Sequence, residues 1–411
     1  MRKFCAAYFT DHLLVTLLVA ALIHLLLQLS FSVSYLSPIA RSISNFKMTD
    51  IYFDISNSKN KKDVGNITLV DMTEVFDRSK LAEIVKEIRA LEPSVLGIDI
   101  VFDGERGDAE GNIKLIEVAE ETKQVAEETK QGCPTVWACK LADWDDDGGM
   151  FRLAHHSFFT DYVNGVDEGF TNVQRDTNGG TVRSFGILRN MDGEWKYSLP
   201  AKVAKIITDE EPAMDDKMNC TINYHAVDFP VVPYDKIAEN EDLIKGHCVL
   251  LGATSDLRDE HYTPIGKIPG LYILAYTVKT LVEHQAPKEL PGWVVFCITL
   301  CLIFMMQVVQ SYLFKRTTSH RLGVVKSVGY MGLMSSIVFF STVIIMMWVS
   351  FFAYIDYNIN IDVKWAIMGF ALLGMSRQWY SVMLNFLADT FGIKALEKSL
   401  YRYKTIEKNK E

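Results

Sequence analysis

Long uncharged stretches and shorter alternating ones divide this chain into two kinds of territory. Leu13 to Leu36 holds no Asp, Glu, Lys or Arg, and about 20 apolar residues in a helix cross roughly 30 Å of hydrocarbon. Three more apolar runs follow Pro291: Trp293 to Phe314, Val328 to Tyr354, and Val363 to about Leu387. The pattern predicts transmembrane helices over 13–36, 293–314, 328–354 and 363–387. The first run exceeds the apolar core of a secretory signal, about 7–15 residues, and lacks a small-residue cleavage site. It ends on Ser34, Tyr35 and Leu36, and reads as a retained anchor.

Between the first and second runs the periodicity is that of a folded α/β body. Asn66 to Asp71 is a β-prone apolar run that ends on a carboxylate. Ser79 opens a helical stretch with Leu81, Ile84, Val85, Ile88 and Leu91 on one face. Pro93 stops it, because the residue before a proline disfavours helical geometry. Val95 to Phe102 is a second apolar run, so strand, helix and strand form a βαβ unit with parallel strands and a right-handed crossover. Further on, helices are predicted over 112–131, 198–207 and 270–283, and strands over 134–141, 169–173, 181–188, 220–225 and 247–251. The expected fold class is an α/β extracytoplasmic domain over 41–290, a mixed, largely parallel sheet with flanking helices, plus a four-helix transmembrane region.

Charge orients the spans. Arg2 and Lys3 precede the first, and Lys315, Arg316, Arg321 and Lys326 stand between the second and third with no acid. Asp356 and Asp362 face Lys364 between the third and fourth. Lys and Arg favour the cytoplasmic side. Residues 1–12 and a tail over 388–411 are therefore expected in the cytoplasm, with the large body periplasmic on a bacterial inner membrane. The chain carries −9 overall, and 41–290 alone carries −16. That acidity excludes nucleic acid, which needs basic residues to neutralise phosphate, and otherwise reflects solubility. Cys133, Cys139, Cys220 and Cys248 lie in the body. Cys133 and Cys139 flank one strand, roughly 20 Å apart if extended and too far to bridge. Cys220 and Cys248 could be neighbours, and four free buried thiols are the other reading.

Three stretches together resemble a known family. Ile67-Thr-Leu-Val-Asp71 with Arg78 and Gly97-Ile-Asp99-Ile-Val-Phe102 is the first, and Gly169-Phe-Thr-Asn172 with Asp176, Gly179 and Arg183 the second. The third is Leu243 to Thr254 with Asp259, Thr263-Pro264 and Pro269-Gly270. Their order is similar to that of the CHASE2 extracytoplasmic sensory domain, set between one span before and three after. Val75-Phe-Asp-Arg78 departs from the Trp-Pro-Trp-x-Arg of the family. The resemblance implies a sensor whose relatives continue into a cytoplasmic kinase, cyclase, diguanylate cyclase or phosphatase. Here about 24 residues follow the last span, so a separate output protein is the expected partner. The bilayer is another partner, and a second copy of the chain a further candidate.

Ligands of parallel sheets bind beyond the carboxyl ends of the strands. Asp71 and Asp99 sit at such ends, Asp256 and Asp259 follow a third strand, and Arg183 is the nearest counter-charge by motif. These five residues are the candidate ligand site, suited to a cation or a cationic small molecule, or else a structural ion-pair network. Asp143, Asp145 and Asp147 before Gly148 fit the first half of a calcium loop, although the twelfth position is Ala154. Calcium is thus the one cofactor considered. His155 and His156 are adjacent on a strand and point apart. Arg377 is costly in hydrocarbon, which makes it a candidate contact between spans, or a side chain that snorkels. The tail from Gly392 has Ile393, Leu396, Leu400, Tyr403 and Ile406 at helical spacing among basic residues, fit for a membrane surface or a partner. No Gly-x-Ser-x-Gly, His-Glu-x-x-His or Walker loop is present, so an enzyme is not expected. A sensor or regulatory subunit is the leading expectation, and an assembly subunit of a membrane complex the alternative.

Overall fold

The computed structural model describes residues 2–32, 50–53, 62–63, 66–105, 107–128, 132–173, 180–318, 321–323, 333–393, 396, 399 and 401–402. The chain divides into two compact units, one of Asp50–Pro287 and one of Met1–Thr49 with Lys288–Glu411. Helix α1 (Arg2–Ser32) opens the chain and belongs to the second of these.

The Asp50–Pro287 unit is built on strands β1 (Ile67–Asp71), β2 (Val95–Ile98), β3 (Thr135–Asp145), β4 (Met150–His155), β5 (Glu168–Phe170), β6 (Ser184–Gly186), β7 (Leu188–Met191), β8 (Glu194–Tyr197), β9 (Asn219–Thr221), β10 (Val231–Pro233), β11 (Cys248–Gly252), β12 (Glu260–Thr263) and β13 (Gly266–Pro269). The parallel core runs β10-β1-β11-β2-β3-β5 across the sheet. Beyond it, β3 turns back as an antiparallel hairpin with β4, and β4 meets the β7–β8 hairpin at Phe151 and Met191. Strands β1, β2 and β11 are buried along almost their whole length, as strands covered on both faces must be. β1 and β2 are parallel, as their spacing predicts. They are not neighbours, because β11 inserts between them and pairs Leu250 with Leu69 on one side and Gly97 on the other. Local periodicity reveals a strand, not which later strand will lie beside it.

Strand alternation sorts the core into two layers. Val70, Leu96, Ile98, Val249 and Leu251 point to one face and pack with Ile84, Val85 and Ile88 of α2 (Arg78–Ala90) and Leu115 and Val118 of α3 (Ala109–Glu128). Gly97 and Gly252 belong to the opposite face. A Cβ on Gly97 would meet Leu199 and Val203 of α4 (Leu199–Thr208), and one on Gly252 would meet Leu271 of α5 (Gly270–Val282). The N-cap of α2 is Asp77, whose Oδ1 accepts from Lys80 N at 2.9 Å, rather than Ser79. β2 ends at Ile98, short of the predicted Phe102. The Arg78 guanidinium is buried, donates to Gly104 O at 2.6 Å and to Asn112 Oδ1 at 2.5 Å, and lies 4.6 Å from the Phe158 ring centre.

In the other unit, α1 packs with α6 (Gly292–Thr318) and α8 (Lys364–Phe391), and α7 (Leu333–Tyr357) packs on α6. Val15, Val19 and Ile23 of α1 meet Ile303 and Met306 of α6 and Ala366, Phe370 and Leu373 of α8. Among the described residues, three helical stretches are long and apolar enough to cross a membrane: Phe9–Leu26, Gly292–Thr317 and Ser335–Tyr357. Three of the four expected spans are thus candidates by length and composition. The fourth helix forms, but Ser376, Arg377 and Gln378 interrupt its apolar run.

Candidate functional site

The carboxyl ends of β1, β11 and β2 lie side by side, with Asp71 opposite Gly252 and Asp99 N donating to Leu251 O at 2.9 Å. The topology thus brings Asp71 and Asp99 to one edge, separated by β11, and the chain leaving β11 carries Thr254, Asp256 and Asp259 over the same edge. Gly252 lets the strands pack closely here, since a Cβ would meet Asp99 Cβ at 3.3 Å and Leu271 Cδ1 at 2.9 Å.

The carboxylates do different work. Asp71 Oδ1 accepts from Thr73 Oγ1 at 2.6 Å, Thr73 N at 3.1 Å and Thr254 N at 3.1 Å. Burial works to raise its pKa, but these hydrogen bonds outweigh it and hold the carboxyl below its ordinary range. Asp71 therefore staples the β1 loop to the β11 loop. Asp99 is the opposite case. It keeps some exposed surface yet lies deep among protein atoms. Burial, reinforced by the Asp259 charge, pushes it up to about 6 against the pull of Lys140, a Thr171 hydrogen bond and His261. Asp259 is half exposed, 3.3 Å from His261 Nε2, and its carboxylate lies against Gly270 at the start of α5, where any side chain would overlap it. Asp256 caps the turn Leu257–Asp259 by accepting from Arg258 N at 2.9 Å.

Arg183 is engaged elsewhere in the unit. Its buried guanidinium forms a two-pronged pair with Asp50, Nε to Oδ1 at 3.0 Å and Nη2 to Oδ2 at 2.6 Å. Asp50 had no motif to mark it. Lys140 and His261 are the basic groups that face Asp99, and sequence reasoning missed both. The signals available were modest: His261 stands two residues beyond Asp259, and Lys140 lies on the strand next to that of Asp99.

Asp143, Asp145 and Asp147 sit at the tip of the β3–β4 hairpin. There Asp145 Oδ2 pairs with Arg152 Nη2 at 2.8 Å, and Asp145 Oδ1 accepts from Asp147 N at 3.2 Å. The hairpin aligns a basic side chain with the acids instead of converging the acids on one point. Among the described residues no group of three or more His, Cys, Asp or Glu is placed to hold a metal ion. His156 is turned to Glu168, with which it hydrogen-bonds. All four cysteines of the unit are free and buried, and burial raises their thiols to between about 11 and about 12, so they are unreactive.

In the helical unit, Arg377 hydrogen-bonds Tyr401, beside a polar seam between α1 and α8. Tyr380 Oη and Ser399 Oγ donate to Asp11 Oδ1 at 2.8 Å and 3.0 Å, Ser381 Oγ donates to Tyr401 O at 2.6 Å, and Arg402 pairs with Asp389 at 2.8 Å. Gly392 ends α8 at φ 62°, so the chain reverses, and the described part of 396–402 folds back instead of continuing as the predicted helix. The rest of the tail lies outside the described residues, as do Asp176 and Gly179 of the second motif stretch.

The model of the CHASE2 domain matches residues 16–309, most of the chain. The chain belongs to the CHASE2 family. CHASE2 is a family of extracytoplasmic sensory domains. No curated protein and no solved structure matches this chain. Within its CHASE2 region, Asp71 and Asp99 end two strands of the core, while Arg183 braces the segment that enters it.

Proposed function

We propose that this CHASE2 protein is a membrane-anchored sensor or regulatory subunit, which binds a ligand or partner outside and signals through its spans to a separate output protein. Asp99 is the observation that supports this most. A carboxyl raised to about 6 at the carboxyl edge of a parallel sheet costs stability at neutral pH, and such groups concentrate at binding sites. Asp259, His261 and Lys140 around it offer both signs of charge to an incoming polar group. The reading places the acidic body outside a bacterial inner membrane, with α8 as a fourth pass closed on α1, and basic residues near the inner ends of the spans. It assigns no catalytic role.

At Asp71 the hydrogen bonds hold two loops of the unit together, and an assembly subunit of a membrane complex is the alternative reading. The two readings separate by photo-cross-linking in native membranes, with wild type compared to Asp99→Asn. Sensing predicts a captured partner whose yield changes with the substitution. A partner captured equally from both proteins favours assembly, and no captured partner refutes the output-protein reading.

A further inference from the structure

We propose that events at the strand edge carrying Asp99 and Asp259 reach residues 50–53 by a mechanical route through β12 and Arg183. The inference rests on the sensory reading and names how that site is coupled. The turn Leu257–Asp259, which carries the Asp259 carboxylate toward Asp99, leads without a break into β12. β12 is not part of the central sheet. Its ladder partner is β13, in a separate two-stranded ribbon, so it can shift without breaking the core ladder. Tyr262 of β12 holds the chain before Arg183: its carbonyl accepts from Val182 N at 2.7 Å, and Thr181 bridges it in parallel.

The next residue is Arg183 itself. Its fork grips both oxygens of Asp50, a geometry that fixes direction as well as distance. Asp50 lies in a helical turn described over 50–53 and seated on an aromatic bed. Tyr52 stacks on His225 with ring centres 6.1 Å apart and planes 13° from parallel, and buried Phe53 meets Tyr224 edge-on at 6.1 Å. The turn at 50–53 is covalently downstream of α1 in the chain. A displacement of the Asp259 turn thus pulls on Tyr262, Val182 and Arg183 in series, and Arg183 releases or shifts the 50–53 turn.

Gly270 supplies a wedge that touches neither Arg183 nor Asp50, because a methyl there displaces the Asp259 carboxylate. The experiment is hydrogen exchange of the peptide covering 50–53 in the full chain held in lipid nanodiscs. Gly270→Ala and, as a second and milder variant, His261→Ala are each expected to speed that exchange about tenfold, the scale of one lost charge-assisted hydrogen bond. Asp50→Asn gives the same effect directly. Gly107→Ala, where a Cβ meets nothing within 4 Å, leaves exchange unchanged. Should Gly270→Ala fail to fold, His261→Ala decides alone. Unchanged exchange at 50–53 in the folded cleft variants overturns the route, while the sensory reading is judged separately by the cross-linking comparison.

Discussion

Replacing Asp99 by Asn should stabilise the folded α/β unit at neutral pH. The carboxyl ionises at about 6 in the folded protein and near 3.8 when free. Each unit of difference corresponds to about 1.36 kcal/mol, so the ionised form costs about 3 kcal/mol of stability. Partial exposure and the hydrogen bond from Thr171 reduce this to about 1–2 kcal/mol net. The sign follows from proton binding. Between pH 3.8 and about 6 the unfolded chain has lost the proton and the folded chain keeps it, so wild-type stability falls as pH rises through that window and is level above it. Asn does not titrate, and comparing the two proteins cancels the other carboxylates. The assay is urea unfolding of the detergent-solubilised full chain, read by pulse proteolysis at pH values from 4 to 8. The variant's advantage should be near zero at pH 4, grow to pH 6 and hold at pH 8. An Asn variant less stable than wild type at pH 8, or an advantage independent of pH, refutes the reasoning.

Asp71→Ala should act with the opposite sign and destabilise by about 2 kcal/mol at neutral pH, since Thr73 and Thr254 lose a charged acceptor; its deficit shrinks as pH falls below the ordinary carboxylate range. Gly169→Ala should cost at least about 3 kcal/mol and lower expression, because its Cβ would lie 2.5 Å from backbone atoms of Leu199, which cannot rotate away. Millimolar calcium should leave the thermal midpoint unchanged, since Arg152 already occupies the Asp145 carboxylate; an upward shift would restore the metal reading. Arg183→Lys should destabilise the 50–53 turn although charge is conserved, because an ammonium cannot hold both oxygens of Asp50. Hydrogen exchange of that turn is the measurement, and unchanged protection would contradict it.

The strands of the parallel core were legible because burial on both faces leaves continuous apolar runs such as Val95–Ile98 and Cys248–Gly252. Helix α2 announced itself by one-sided periodicity. The β4, β7 and β8 extension was not legible. Its strands are short, mostly half-exposed, and carry residues such as Arg152, Asn190 and Lys196 that break alternation. At the site, motif and strand position located Asp71 and Asp99. They could not show that one carboxylate is saturated by threonines and the other is held close to Asp259, since both facts depend on β11 arriving between two strands adjacent in sequence. The Arg183–Asp50 pair spans 133 positions and had no local trace. Arg377 was legible as a misfit in an apolar run, but its link to Tyr401 required the reversal at Gly392.

In the proposed topology the acidic α/β body and the basic ends of the helices occupy opposite sides of a membrane. A protease site inserted at the exposed hairpin tip between Asp146 and Gly149 tests it most directly, in right-side-out and inside-out vesicles. Cleavage of right-side-out vesicles with protection of inside-out ones is the predicted result. Cleavage confined to inside-out vesicles would put Asp99 and its cleft in the cytoplasm and contradict the sensory account.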